Sequence, residues 1–291
     1  MSNKEKAIAT ISKTKEIMET FQLSTKKNFG QNFIIEPAIV EKIAIAAKLD
    51  DKTAVIEIGP GIGALTEQLA KRAKTVVCFE LDERLEPVLD MSLAAYTNIQ
   101  IIFCDFLKVD LEECMQELEK EHEKVVVCAN LPYYITTPVL FHIFDSKLDV
   151  PYITVMMQKE VAERFGALPN TKDYNALSVI IQYQYEVETV MKVSKNVFLP
   201  KPNVDSMVIQ FHLKKDKQAV RDEKKFFQFV KQAFTQRRKT IYNNLKSLSS
   251  NIDKILLEAK IEPTRRAESL SLEEFIRLFE VYDEKESICE N

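Results

Sequence analysis

"AVIEIGPGIGALTEQLAKRAKTVVCFELD", from Ala54 to Asp82, decides the fold. Ala54 to Ile58 is a short apolar, β-branched run, and Gly59, Gly61 and Gly63 then break it. "ALTEQLAKRAK" has helical periodicity, and "TVVCFELD" is again strand-like. A strand, a glycine turn, a helix and a second strand make one βαβ unit. Outward from it, Ile39, Val40, Ile43, Ala44 and Ala47 recur on one helical face upstream. Downstream, "ERLEPVLDMSL" predicts a helix despite Pro87, and "IQIIFCD", "VVVCAN" and "YITVMMQ" predict a third, fourth and fifth strand with helical segments between them. The alternation predicts an α/β fold, a mainly parallel sheet covered on both faces. "LSVIIQYQYEVETVMKV" fits a helix in part and a period-two strand in part, with no marker that separates the two. "SMVIQFHL" is a further strand, and beyond Lys214 the chain turns into Lys-rich helical segments. The expected organisation is a basic N-terminal extension over 1–30, a catalytic domain over 31–213 and a small helical domain over 214–291.

The chain has 291 residues and is 46% hydrophobic, enough for one large and one small domain. No apolar run approaches the ~18 residues of a membrane span, and "MSNKEKAIATISKTKEIMET" lacks the apolar core of a signal peptide. A cytoplasmic protein without a membrane partner is expected. The five cysteines, Cys78, Cys104, Cys114, Cys128 and Cys289, contain no CxxC pair, which argues for free thiols and against a metal site. The net charge of -4 conceals an uneven distribution. Lys214 to Lys246 holds 11 Lys/Arg against 3 Asp/Glu, so the remainder carries -12. Such a segment suits phosphates, or it is a solvated helix face.

Open α/β sheets bind ligands beyond the carboxyl ends of their strands, so the loops there are read for chemistry. Gly59, Gly61 and Gly63 allow a tight turn and close backbone approach, and Gly59, Gly61 and Ala64 also satisfy G-x-G-x-x-[GA]. Glu80, 21 positions after Gly59, suits the two hydroxyls of a ribose in nicotinamide and methyl-donor enzymes alike. Asp105, at the end of the third strand, is an acceptor for an adenine amino group or a cap for the next helix. After the fourth strand, "NLPY" offers the Asn130 side-chain oxygen and the Leu131 carbonyl as two acceptors, stiffened by Pro132 beside the ring of Tyr133. Two acceptors and a flat face are what an exocyclic amine on a planar base requires.

"NLPY" is similar to the [NDS]-x-P-[YF] motif of amino-methyltransferases that use S-adenosylmethionine. "KKNFGQNFI", "EIGPGIGALTE", "FELD", "ANLPYYITTP", "VFLPKPNVDSMVI" and "FTQRRKT" together resemble the ribosomal RNA adenine N6-dimethyltransferase family, in its order and spacing across nearly the whole chain. "NLPY" followed by "TTP" resembles its bacterial small-subunit members more than the large-subunit resistance methylases. Tyr134 departs from the Asn often found there but lies outside the acceptor pair.

The resemblance implies a Rossmann-like domain that dimethylates two adjacent adenosines near the 3′ end of 16S rRNA in an assembling 30S particle, as a monomer. It implies that Asn32 and Ile34, with Gln31 adjacent, contact the methionine end of the donor. Gly59 then approaches the donor, Glu80 holds its ribose, Asp105 its adenine, and Asn130 meets donor and target. Phe198 stacks on the target adenine opposite Tyr133, although beside two prolines it also reads as a core anchor. Arg237, Arg238 and Lys239 would sit together on a helix and hold phosphates, with Phe234 and Tyr242 packed inward, Arg265 and Arg266 adding to that face, and Lys26 and Lys27 closing over the cleft. Three other readings remain: a large-subunit adenine methylase, a non-catalytic RNA-binding assembly protein, and a nicotinamide dehydrogenase. The last lacks a proton-relaying residue, since His122, His142 and His212 lie away from the strand-end loops.

Overall fold

The computed structural model describes residues 7–23, 31–146 and 148–289. The elements of its first part are α1 (Ile11–Thr20), β1 (Phe33–Ile34), α2 (Pro37–Ala46), β2 (Thr53–Ile58), α3 (Ala64–Ala70), β3 (Thr75–Glu80), α4 (Glu86–Ser92) and β4 (Ile99–Phe103). There follow α5 (Leu111–Glu119), β5 (Lys124–Asn130), α6 (Thr136–Asp145), β6 (Tyr152–Gln158), α7 (Lys159–Phe165), α8 (Ala176–Gln184), β7 (Tyr185–Val193), β8 (Phe198–Leu199) and β9 (Ser206–Leu213). The last elements are α9 (Glu223–Ala233), α10 (Ile241–Leu245), α11 (Ile252–Glu258) and α12 (Leu272–Cys289).

Seven strands form one sheet in the order β4-β3-β2-β5-β6-β9-β7. β4, β3, β2, β5 and β6 run parallel, and β9 is antiparallel to β6. Every residue of β2 is buried, as are the central five of β5. Strands covered on both faces need side chains that are apolar on both, which is why the sequence there runs apolar without alternation. Pro87 lies in the first turn of α4, where its missing N–H leaves no hydrogen bond unmade. The ambiguous stretch before Lys214 divides at Gln184: α8 opens with Asn175 and Ser178 in a capping box, and β7 begins at Tyr185.

The chain order leaves β2 toward β3 and β4 on one side and resumes with β5 and β6 on the other. This reversal opens a crevice beyond the carboxyl ends of β2 and β5, the position where such sheets bind ligands. A separate two-stranded ribbon pairs β1 with β8, setting Phe33 opposite Leu199 and Ile34 opposite Phe198. It joins the "GQNFI" and "FLPKP" segments, which are far apart in sequence.

The chain divides into two compact units: Met1–Ala162 with Glu188–Leu213, and Glu163–Val187 with Lys214–Asn291. The expected linear division therefore differs at Glu163–Val187, which belongs with the C-terminal helices. The reason is apolar: Tyr174, Val179, Ile180 and Tyr183 pack into one core with Phe226, Phe229, Leu256, Phe275 and Phe279. Tyr183 and Phe226 have ring centroids 5.1 Å apart, and the Tyr174 hydroxyl donates to the Leu270 carbonyl at 2.9 Å.

Candidate active site

Beyond the ends of β2, β3, β4 and β5 lies a cleft of about 1070 Å3, its open mouth included. Gln31, Asn32, Ile34, Gly59, Gly61, Glu80, Asp105, Asn130, Leu131, Pro132, Tyr133 and Phe198 all line it. Gly63 does not; it precedes α3 with φ of 89°, packed so closely that a methyl group there would meet Leu93 at 3.1 Å. Gly61, with φ of 60°, faces the Phe33 ring, and its N–H donates to Glu80 Oε2 at 3.2 Å. A side chain at Gly61 would press on Phe33 and strain the backbone.

Glu80 ends β3, buried, and its Oε1 accepts the N–H groups of Leu81 and Asp82, both at 2.9 Å. Burial raises its pKa above the ordinary carboxylate range. Asp105 caps the following turn, its Oδ1 accepting from Leu107 N–H at 3.1 Å, and the residue also lines the cleft. Glu57, absent from the sequence candidates, is 1% exposed, lines the same cleft, and is pushed by burial to a pKa of about 7. Cys78 Sγ donates to its Oε2 at 3.5 Å. Its one trace in the sequence is a charge inside the otherwise apolar "AVIEI", which does not by itself mark a working residue.

The Asn130 to Tyr133 turn is held at several points. Leu131 N–H donates to the Met156 carbonyl at 3.0 Å, and the Pro132 carbonyl accepts from Ile135 N–H and Thr136 Oγ1, each at 3.1 Å. The Tyr133 hydroxyl is 2.6 Å from Ser206 Oγ at the start of β9, which fixes the ring's direction. A methyl group at Gly59 would come within 3.7 Å of the Pro132 ring, so the two key loops lie side by side. Phe198 is 3% exposed and packs in the core, as its core-anchor reading expects, and it also lines the cleft. Tyr134, set aside in the sequence, also lines the cleft and is 51% exposed.

The basic candidates differ from expectation. Arg237, Arg238 and Lys239 lie in the turn between α9 and α10, not on a helix, because α9 ends at Ala233 and Thr240 starts a new helix by capping Asn243 N–H. Arg237 pairs with Glu268 at 2.9 Å and donates to the Lys172 carbonyl at 2.6 Å; Arg238 and Lys239 are exposed. Arg265 is engaged by Glu274, and Arg266 is 3.9 Å from Glu268. Phe234 stacks on Phe275, whereas Tyr242 is 37% exposed and does not pack inward. Lys26 and Lys27 lie outside the described residues. Among the described residues, no helix is long and apolar enough to cross a membrane.

A family model described as ribosomal RNA adenine dimethylase matches residues 22–284. A protein of Bacillus cytotoxicus named ribosomal RNA small subunit methyltransferase A is 52% identical, over 94% of this chain and 96% of its own length. Its namesake in Bacillus mycoides is 51% identical over the same shares. Among solved structures, the 23S rRNA methyltransferase ErmE is 26% identical with a TM-score of 0.67, over 87% of this chain and 100% of that one. A dimethyladenosine transferase from Plasmodium falciparum, 23% identical with a TM-score of 0.72, covers 87% of this chain and 98% of its own and shares the fold.

Proposed function

The chain belongs to the ribosomal RNA adenine dimethylase family, and from that membership we propose that it uses S-adenosylmethionine to dimethylate N6 of two adjacent adenosines in the 3′-terminal hairpin loop of 16S rRNA. It acts as a cytoplasmic monomer on the assembling 30S particle. The observation that carries this reading is the 52% identity to a small-subunit methyltransferase across nearly the full length of both chains. The large-subunit and binding-only readings are not favoured beside it: ErmE is half as similar, and the acceptor turn and glycine loop are intact.

The cleft suits the donor. S-adenosylmethionine is cationic at its sulfonium and ammonium groups, and Glu57, Glu80 and Asp105 all line the cavity. Asn32, Ile34, Gly59, Glu80, Asp105 and Asn130 would hold it, with Gly61 fixing Glu80 from behind. When bound, it supplies a methyl group already activated by positive sulfur. Asn130 and Leu131 supply what the target lacks. The lone pair of an aromatic amine is delocalised into its ring, and two carbonyl acceptors on the N6 hydrogens draw the nitrogen toward tetrahedral geometry, which frees the lone pair for attack. Once methylated, N6 is cationic and releases its proton to water, so no dedicated general base is required. Flipping out the target costs a few kcal/mol. Stacking on Tyr133, held rigid by Ser206, and on Phe198 returns roughly 1–3 kcal/mol per ring. Arg238 and Lys239 supply phosphate contacts that position the RNA without reading its sequence.

The test is transfer of labelled methyl from S-adenosylmethionine to unmethylated small-subunit particles and, in parallel, to large-subunit RNA, with the product base identified by mass spectrometry. Dimethyladenosine confined to the small-subunit sample is expected. Label in the large-subunit RNA, or none in either, would contradict the reading.

A further inference from the structure

Asp82 belongs to no part of the chemistry above, yet its carboxylate is 5% exposed and fully engaged. Arg84 donates to it twice, Nε to Oδ1 at 2.7 Å and Nη2 to Oδ2 at 2.6 Å. Gln31, 51 positions earlier, donates its amide to Oδ2 at 2.9 Å. Asp82 precedes the helical turn Glu83–Leu85, but its carboxylate is turned to the Arg84 guanidinium and the Gln31 amide rather than forming a well-aligned cap. Burial of a charge that could have capped its own turn in solvent needs another reason. The charge itself is secure, since the Arg84 hydrogen bonds hold the Asp82 pKa below the ordinary carboxylate range.

The position of Asp82 supplies the reason. Its backbone N–H is one of the donors that orient Glu80. Gln31 opens the segment that carries Asn32 and Ile34 into the cleft, and the far end of that segment is fixed by the pairing of Ile34 with Phe198. The near end is fixed by Asp82. Asn32 thus sits between two anchors on one wall, and Glu80 stands two residues from one of them on the other wall.

We propose that Asp82 is a positioning residue for methyl-donor binding, latching Gln31 so that the Gln31–Ile34 segment closes against the Glu80 wall of the cleft. In this account Gln31 acts through Asp82 and not by touching the donor. The inference rests on the S-adenosylmethionine reading given above.

The test is a double-mutant cycle on the full-length protein, read by calorimetric binding of S-adenosylhomocysteine and by the KM and kcat of methyl transfer. Gln31→Ala and Asp82→Ala should each weaken binding and raise donor KM about tenfold, the size of one hydrogen bond to a charged group, with kcat and particle affinity little changed. The double variant should bind no worse than the weaker single one, because both remove the same hydrogen bond. Additive losses would mean that Gln31 contacts the donor directly and would overturn the latch, as would unchanged binding in Gln31→Ala. Gln31 is partly exposed, so its variant keeps the test intact if Asp82→Ala folds poorly. Wild-type protein that fails to bind S-adenosylhomocysteine would remove the donor reading and the latch with it; normal wild-type binding beside an unaffected Gln31→Ala removes the latch alone.

Discussion

Asn130 is the last residue of β5, where a strand buried on both faces gives way to a proline-stiffened turn at the cleft. The sequence showed this residue clearly because the break from "VVVCA" to "NLPY" is local. Asn130→Ala removes one of the two acceptors proposed to act on N6, and a fall of about a hundredfold or more in kcat is expected, the range for a polar group aimed at the reacting centre. Particle binding measured by filtration should be unchanged. Glu57 makes a second residue-scale prediction. Its pKa in the folded chain, about 7, lies above the ordinary carboxylate value of 4.5. The folded state therefore binds the proton more tightly than the unfolded one, so this stabilisation is complete below about pH 4.5 and is lost as pH rises through about 7. Glu57→Gln keeps the shape without the charge. Its melting temperature relative to wild type should rise between pH 5 and pH 8, and a pH-independent difference would show that Glu57 does not titrate in that range. Neither Glu57 nor Asp82 was legible beforehand as a working residue, because each depends on partners far along the chain or on burial by the assembled sheet.

At the scale of elements, the βαβ unit from Ala54 to Asp82 was readable because strand, glycine turn and helix each carry their own period. β6 and β9 fall where their apolar runs placed them. The junction of α8 and β7 was not readable, since "IIQYQYEV" has no glycine or proline at Gln184 and its aromatic and β-branched residues suit either state. The turn after Ala233 was misread for a different reason: Lys and Arg favour helices, which masked the cap signal of Thr240. The glycine loop offers the element-scale prediction. Gly63 holds a left-handed conformation at the entry to α3 and packs on Leu93. Gly63→Ala should destabilise the protein by about 1–2 kcal/mol in urea unfolding, from the backbone alone. No loss of stability would show that the loop relaxes.

For the whole molecule, the charge of -4 is the sum of opposites, and the basic excess from Lys214 to Lys246 includes the exposed turn residues Arg238 and Lys239. Replacing both with alanine should weaken binding to small-subunit particles and lower the slope of log affinity against log salt by about two, one for each phosphate no longer neutralised. Arg237→Ala should instead lower thermal stability, since that guanidinium ties Glu268 to the Lys172 carbonyl. An unchanged salt slope in the double variant would take this turn out of the RNA interface. The central claim is that one cleft presents Asn130 and Leu131 to the amino group of a target adenine. The most direct measurement is an electron cryo-microscopy structure of the protein on an unmethylated small-subunit particle with a non-reactive donor analogue. The expected result is an unstacked adenine beside Tyr133, with N6 about 3 Å from both the Asn130 side-chain oxygen and the Leu131 carbonyl. An adenine bound elsewhere, or an N6 out of reach of Asn130, would contradict the account.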